Sequence, residues 1–286
     1  MGLTYYVRAD GSDLNDGLGP GVNHAFQTVQ HALEIATVAG NDGNKIWIAP
    51  GSYNEFIDVG AKYYNDLTIE GDSSGIVFGV PRGTISLESY LFLTYGQNLN
   101  SVIRLKNLIL YYLGVNNDTT ETCDLFLTNI ATTNDFNVDS SSCFVTMINC
   151  TTFGSYYCGD GVFTNCVAGN GFWVGLAQMH NCMSAYVYPL EGSTIENHIY
   201  EYPTWDGTLG REFYLASGSP GISSGMAVDG YSPDIYGYDR TSIPDRGAAD
   251  VNGISIIQCK AIPISQFRNP QGLPFRLIPM RSVNLL

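Results

Sequence analysis

Residues 149–184 contain one motif three times: Asn149-Cys150-Thr151-Thr152, Asn165-Cys166-Val167-Ala168 and Asn181-Cys182-Met183-Ser184. The asparagines extend in both directions as Asn107, Asn129, Asn149, Asn165, Asn181 and Asn197, at spacings of 22, 20, 16, 16 and 16 residues. A period of this length suits a coil of three short strands and three turns. The spacing therefore predicts an all-β protein, a right-handed parallel β-helix in which like residues stack on like.

The repeated residue types indicate how the coils are held. An asparagine at a bend tolerates the left-handed conformation, and its amide can bond to the asparagines above and below. Cys150, Cys166 and Cys182 follow the coil period rather than a pairing pattern, and the chain has an odd number of cysteines, seven. We therefore predict that they are reduced and buried.

Aromatic residues obey the same period. Tyr156, Phe172 and Tyr188 form one predicted column, and Tyr157 and Trp173 form the next. Neighbouring positions face opposite sides of a strand, so one column belongs to the core and the other is exposed. An aromatic stack that closes the core, an exposed strip for sugar rings and a protein interface all fit. Tyr157, Trp173 and Trp205 are the carbohydrate-binding candidates, with a host surface glycan as the ligand.

Charge limits the classes of partner. The formal net charge is −14 and the isoelectric point about 4.4, so the body should repel nucleic acid phosphates and anionic membranes. No apolar run approaches the length of a membrane span. The first residues enter a strand pattern without a basic leader or an apolar core, so we expect no classical export signal.

The C-terminal segment differs from the rest of the chain. All 27 Asp and Glu residues lie at or before Asp250, so residues 251–286 carry +4 and the remainder carries −18. Four prolines and several large apolar residues predict an extended basic arm over residues 254–286, after a cap and first coil (1–60) and a β-helix (61–253). The residues expected to make its assembly contacts are Arg268, Phe275, Arg276, Leu277 and Arg281. Docking on its own subunit and docking on another both remain open.

Both ends of the coil region carry family-like motifs. The start combines a strand at Tyr5-Tyr6-Val7, an acidic turn over 10–17, an amphipathic helix over 26–39 and the corner Ala49-Pro50-Gly51-Ser52-Tyr53-Asn54-Glu55. The end combines Ser219-Pro220-Gly221 with Asp245-Arg246-Gly247-Ala248-Ala249-Asp250. Together they resemble the pectin-lyase-like right-handed parallel β-helix family. The resemblance implies a helix that caps the first coil and a coil that closes the last one.

The resemblance also implies a place to look for catalysis. Sugar-cleaving members use paired carboxylates, or an Arg or Lys base beside calcium, on one exposed strand face. The positions just before the asparagines put no two acids on adjacent turns: Lys106, Thr128, Ile148, Thr164, His180 and Glu196. The weak catalytic candidates are Lys106, Asp160, His180 and Glu201. Ordinary solvent exposure explains Lys106, and a plain turn explains Asp160.

The acidic turn near the N-terminus offers oxygen ligands. Asp10, Asp13 and Asp16 are the weak candidates for a calcium site. The turn lacks EF-hand spacing, and Asx-turns explain it without metal. We expect no cofactor, with calcium as the alternative.

These features predict a non-enzymatic structural protein of a bacteriophage or other virus. It would be made in the host cytoplasm and carried in the virion as a capsid decoration or a tail spike or fibre. Its expected partners are capsid or tail proteins and further copies of itself, in a trimer. The alternatives are an extracellular polysaccharide lyase or glycoside hydrolase and a glycan-binding adhesin.

Overall fold

The computed structural model describes residues 2–38, 43–58, 66–94, 101–116, 122–139, 143–207, 212–228, 233–240 and 244–249. Contacts divide the chain into two units, Met1–Ile254 and Ser255–Leu286, and every described residue belongs to the first. The predicted arm over 254–286 and the two predicted domain boundaries lie outside the described residues.

The described residues form one short helix and eighteen strands, nearly all short. In chain order the elements are β1 (Thr4–Val7), α1 (Val29–Ala36), β2 (Lys45–Ile48), β3 (Gly51–Tyr53), β4 (Ile57–Asp58), β5 (Leu67–Gly71), β6 (Ile85–Thr94), β7 (Ser101–Asn116), β8 (Cys123–Thr132), β9 (Phe136–Asp139), β10 (Cys143–Ile148), β11 (Thr151–Thr152), β12 (Tyr156–Cys158), β13 (Gly161–Thr164), β14 (Val167–Ala168), β15 (Gly171–Val174), β16 (Ala177–His180), β17 (Tyr186–Tyr188) and β18 (Thr194–Glu196).

Parallel pairing arranges the strands in three faces, which confirms the predicted parallel β-helix. The first face runs β1, β2, β5, β7, β8, β10, β13, β16 and β18. The second face runs β3, β6, β7, β8, β11 and β14. The third face runs β4, β6, β7, β9, β12, β15 and β17. Strands β6, β7 and β8 are long because they continue around a corner from one face to the next.

The core follows from the coil period. The residues two positions before each asparagine point inward, and Leu127, Met147, Phe163 and Met179 are fully buried in one stack. The position between them and the asparagine points outward. There Thr128 and Thr164 are only 7% and 8% exposed, so these two outward side chains are shielded from solvent.

The asparagine corner has the expected backbone. All six ladder asparagines have φ between 51° and 56°, in the left-handed region. Their amides form only two direct pairs in the described residues: Asn129 donates to Asn107 and Asn165 donates to Asn149, each at 2.9 Å. The predicted amide contacts are therefore present at two steps of the column. The Oδ1 atoms of Asn129 and Asn165 accept from Arg240 and from the Met226 amide instead of from the next asparagine.

Helix α1 is shorter than the predicted helix over 26–39. Thr28 is its N-cap and accepts a hydrogen bond from the His31 amide, while Phe26 still pairs with the first strand at Val7. The helix buries Val29, Ala32, Leu33 and Ala36 in the coil core, and Ile35 lies on its exposed side. Asp13 and Glu55 accept the amide hydrogens before and within its first turn.

The predicted closing coil is wrong. Within the described part of the chain no strand follows Glu196, apart from two isolated bridges: Ile199 pairs in parallel with Met183, and Trp205 pairs antiparallel with Leu215. Described residues from 205 to 249, which we call the return segment, instead run back over the outside of the second face. Met226 bonds to Asn165, and the Pro233 carbonyl accepts from Asn129, so the segment moves toward earlier coils. Four prolines within or just before this segment disfavour strand pairing: Pro203, Pro220, Pro233 and Pro244.

The end of the return segment lies close against the second face. Gly247 has φ +100°, and a Cβ atom there would stand 2.5 Å from the Thr151 hydroxyl. Its amide donates to the Asn165 carbonyl, and the Ala248 amide donates to Thr151. The family-like motif Asp245–Ala249 thus provides a close contact between the segment and the coil wall.

Candidate functional site

The most prominent candidate surface is the aromatic column on the third face. Tyr157, Trp173 and Tyr188 stand level on β12, β15 and β17 and point outward. Successive ring centroids are 5.1 Å apart, with interplanar angles of 20° and 22°. Tyr156, Phe172 and Val187 form the neighbouring inward column.

Tyr188 therefore belongs to the exposed column and not to the core column that the 16-residue spacing predicts. The corner between Met183 and Tyr186 is one residue shorter than the corresponding corner between Val167 and Gly171. A longer turn before Thr194 restores the period, because Thr194 again stands level with Gln178. The sequence period therefore predicts the coils, but it does not predict the length of an individual corner or which side chains after that corner point outward.

The geometry of the stack decides which ring faces are open. A sugar ring packs on the face of an aromatic ring, and both faces of Trp173 are directed at its neighbours Tyr157 and Tyr188. The column thus presents mainly edges along its length. At its C-terminal end, Tyr188 contacts Tyr186 at 6.3 Å between centroids, and the Tyr202 hydroxyl donates to the Tyr186 hydroxyl at 3.3 Å. This hydrogen bond, with burial second, raises the pKa of Tyr202.

Trp205 lies apart from this column. Its ring contacts Phe153 at 4.9 Å, and its backbone bridges to Leu215. It is partly buried against Val167, Met183 and Leu215, where the start of the return segment contacts the second face. The structure thus separates Trp205 from Tyr157 and Trp173.

Asp160 and His180 are not brought together. Asp160 accepts a hydrogen bond from the Leu176 amide at 2.7 Å, and His180 stands four residues further along the next strand, about 13 Å away. His180 instead pairs with Glu196 at 3.1 Å on the adjacent coil, where both side chains have contact with solvent. The structure therefore separates Asp160 from His180, and His180 forms a cross-strand pair with Glu196.

Lys106 and Glu201 also lie apart. Lys106 is half-buried on the first face, level with Glu70 and Thr128. Arg104, its neighbour in the basic doublet, forms an ion pair with Asp66. Glu201 is exposed beyond the last strand. The four candidate catalytic residues thus occupy separate places on the wall and do not form one site.

The acidic turn is occupied by protein donors. Asp13 accepts from the amides of Gln27 and Thr28 and from the Thr28 hydroxyl, while Asp10 pairs with Arg8 at 2.6 Å. Asp16 accepts from the Leu18 amide and contacts His24, which together lower its pKa despite slight burial. Over the described residues, no group of three or more His, Cys, Asp or Glu side chains could hold a metal ion.

The cysteines line the inside of the coils. Cys123, Cys143, Cys150, Cys158, Cys166 and Cys182 are free and buried, as the sequence predicts for the three of the ladder. Burial raises the pKa of Cys158 and Cys166, and a hydrogen bond with Cys123 followed by burial raises the pKa of Cys143. The thiols of Cys143, Cys158 and Cys166 are therefore protonated and unreactive at neutral pH.

His198 closes this inner column above Cys182. Its ring contacts Phe172 edge-on and Tyr200 at 4.5 Å, and its Nε2 atom lies 3.2 Å from the Ser184 hydroxyl. Its Nδ1 atom is buried without a hydrogen-bond partner in the described residues. Desolvation lowers the pKa of His198 to about 4, and the charge of Arg246 acts in the same direction.

Three functional features escape the sequence interpretation. Glu55 binds the N-terminus of α1, Arg246 joins the return segment to the last coils, and Tyr186, Tyr200 and Tyr202 surround the end of the stack. The alternation of Tyr186 with Tyr188 and of Tyr200 with Tyr202 is a signal that could have marked this end. Contacts of Glu55 and Arg246 join residues 22 or more positions apart, which no local pattern reveals.

Similarity to known proteins is found by structure and not by sequence. No protein-family model matches the sequence, and no curated protein matches it either. A rhamnogalacturonan lyase structure is similar with a TM-score of 0.34 and 15% sequence identity, over 72% of this chain and 64% of that one. The chain thus spans less than two thirds of that protein. In the part of the chain that the structure describes, no helix is long and apolar enough to cross a membrane.

Proposed function

We propose that this protein is a non-enzymatic structural component of a virus particle, either a capsid decoration or a spike or fibre attached to the tail. The observation that carries the proposal is the set of free thiols inside the coils. Cys123 and Cys143 stand directly opposite each other on β8 and β10 and are both thiols. Such an arrangement supports folding in a reducing cytoplasm, followed by release with a particle rather than by oxidative secretion.

The placement of the candidate catalytic groups supports a non-enzymatic role. Asp160 holds a turn, and His180 and Glu196 join two coils. These contacts account for the presence of the three side chains without any catalytic role. The proposed role also needs no cofactor.

The proposed assembly element is the arm over residues 254–286. Its charge of +4 is opposite in sign to the −18 of residues 1–250, and complementary charge favours association between surfaces. We assign it the contact with capsid or tail proteins, or with further copies in a homotrimer.

The test uses full-length variants of the arm. Phe275→Ala with Leu277→Ala removes apolar contacts, and Arg276→Gln with Arg281→Gln removes charge. We expect both variants to show a lower oligomer mass in light scattering and less co-sedimentation with virus particles than the parent. At high salt, which screens charge, the difference from the parent should disappear for the charge variant and persist for the apolar variant. Glu88→Gln, an exposed change on β6, is the control. Unchanged assembly in both arm variants would contradict the proposal.

The second candidate function is glycan binding or cleavage. The observation that favours it is the exposed stack of Tyr157, Trp173 and Tyr188. Incubation with acidic and neutral polysaccharides, followed by ultraviolet absorbance of unsaturated products and by reducing-end assays, separates the two. Turnover that is lost in Lys106→Ala, Asp160→Asn or Glu201→Gln would replace the structural proposal with an enzyme.

A further inference from the structure

The last coil ends in two strands whose outer edges are unpaired in the described residues. Strand β17 pairs only with β15, and β18 only with β16, so the outer edges of both have no strand partner there. The inward side chains Val187 and Ile195 are only partly buried at this end. An unpaired edge with apolar neighbours is a common site of protein association.

Four tyrosines surround this end, and we call them the terminal tyrosine patch: Tyr186, Tyr188, Tyr200 and Tyr202. Each is exposed, from 48% for Tyr186 to 61% for Tyr200. Tyr188 is the last ring of the third-face column, so its outward face has no further ring of the column stacked on it. Open tyrosine faces bind guanidinium and ammonium groups through cation–π contacts.

The charge around the patch has one sign. Residues 184–207 contain four acids, Glu191, Glu196, Glu201 and Asp206, and no Lys or Arg. The Arg246 guanidinium reaches the carbonyls of Cys182 and Asn197, but the residue is only 5% exposed. A partner therefore meets negative charge and aromatic rings together.

A second copy of this end is a poor occupant. It would bring Glu196 and Glu201 against like charges, which costs free energy at an interface. Strands β17 and β18 have three residues each, and short edges limit strand pairing between copies. Charge complementarity instead favours a cationic partner.

We propose that the terminal tyrosine patch and its acids form a docking surface for a basic extended peptide segment of a partner protein. The segment's arginines pack on the tyrosine faces and pair with Glu196 and Glu201, and its apolar residues cover Val187 and Ile195. This inference rests on the end of the coil stack and not on the proposed virion role, so either can fail alone.

The test measures binding of defined peptides to the full-length protein by calorimetry at low salt. The probe is a capped hexapeptide of alternating Arg and Val, and the matched control peptide carries Glu in place of Arg. We expect the arginine peptide alone to bind. Glu196→Gln with Glu201→Gln should weaken its binding about tenfold, and Tyr200→Ala with Tyr202→Ala by a similar factor.

Matched substitutions elsewhere control for general charge and aromatic effects. Glu88→Gln and Tyr111→Ala change an exposed acid and an exposed tyrosine away from the last coil, and we expect both to bind as the parent does. Melting curves verify that each variant is folded. Equal binding of the two peptides, or equal losses in the control variants, would overturn the proposal. So would self-association that depends on Glu196 and Glu201, or binding of oligosaccharides alone at the tyrosines.

Discussion

At the scale of single residues, the ladder asparagines can stabilise the fold in two ways: through their left-handed backbone and through side-chain hydrogen bonds. The sequence alone does not distinguish the two. Asn165 and Asn181 share the left-handed backbone, with φ of 54° and 52°. Asn165 also donates to Asn149 and to the Met226 carbonyl and accepts from the Met226 amide, whereas Asn181 has no such side-chain bond in the described residues. The pair is therefore a natural comparison of backbone strain and hydrogen bonding.

We expect Asn165→Leu to lower the free energy of unfolding by about 4 kcal/mol, from three hydrogen bonds of about 1 kcal/mol each and a left-handed penalty of about 1 kcal/mol. Asn181→Leu carries the backbone penalty alone and should cost about 1 kcal/mol. Urea denaturation measures both. Equal losses would show that the amide contacts contribute nothing measurable.

His198 should make stability depend on acid. Its pKa is about 4 in the folded protein, against an ordinary value near 6.5. Between these values the unfolded chain binds the proton and the folded chain does not, so stability is full above pH 6.5 and falls as the pH drops toward 4. Because the ring is only partly buried, we expect a loss of about 1–2 kcal/mol.

The measurement is the free energy of unfolding at pH 7 and at pH 4.5. His198→Gln should remove this part of the pH dependence, while His180→Gln should leave it in place, because His180 lies on the outer wall. A His198→Gln protein with the parent's full acid sensitivity would rule out this source.

At the scale of elements, helix α1 depends on contacts from distant parts of the chain. The Glu55 carboxylate accepts the amides of Val29 and Gln30 at 2.8 Å each, and burial raises its pKa. We expect Glu55→Ala to cost about 2 kcal/mol, because two amides at the positive end of the helix lose their acceptor. Glu55→Gln should cost less, since its amide oxygen still accepts.

Thermal unfolding of these variants should be compared with Glu88→Ala, an exposed acid whose loss should change stability by less than about 0.5 kcal/mol. A Glu55→Ala protein as stable as Glu88→Ala would mean that water replaces the carboxylate at the helix end.

The elements also show where sequence reasoning succeeds and where it stops. The asparagine column is predictable because stacking repeats the same environment once per coil. Residues one period apart therefore share the same backbone conformation. Tyr188 is misassigned because a corner lost one residue and the next turn regained it, which leaves the spacing unchanged. The return segment is missed because its family-like motif fits a coil equally well, and only long-range contacts such as Met226 with Asn165 distinguish the two.

At the scale of the whole molecule, the reactivity of the thiols measures whether the interior of the coils is shielded from solvent. Six of the seven cysteines are described, and all six are free and buried. We expect no more than one thiol to react rapidly with a thiol reagent in the native protein and all seven to react in denaturant. Reducing and non-reducing gels should agree. Fewer than seven reactive thiols in denaturant would reveal a disulfide.

The return segment has a consequence for how such a chain can change in length. It is fastened to Asn129, to Asn165 and, through Arg246, to the carbonyls of Cys182 and Asn197. Each additional coil would move these anchors apart by about 4.8 Å. The Ser73 hydroxyl also donates to the Asp234 carbonyl of this segment. A tandem duplication of 16 codons between Asn165 and Cys182 would therefore break the fastening, whereas one upstream of Ser73 would spare it. The length of the return segment therefore limits the number of coils between its anchors.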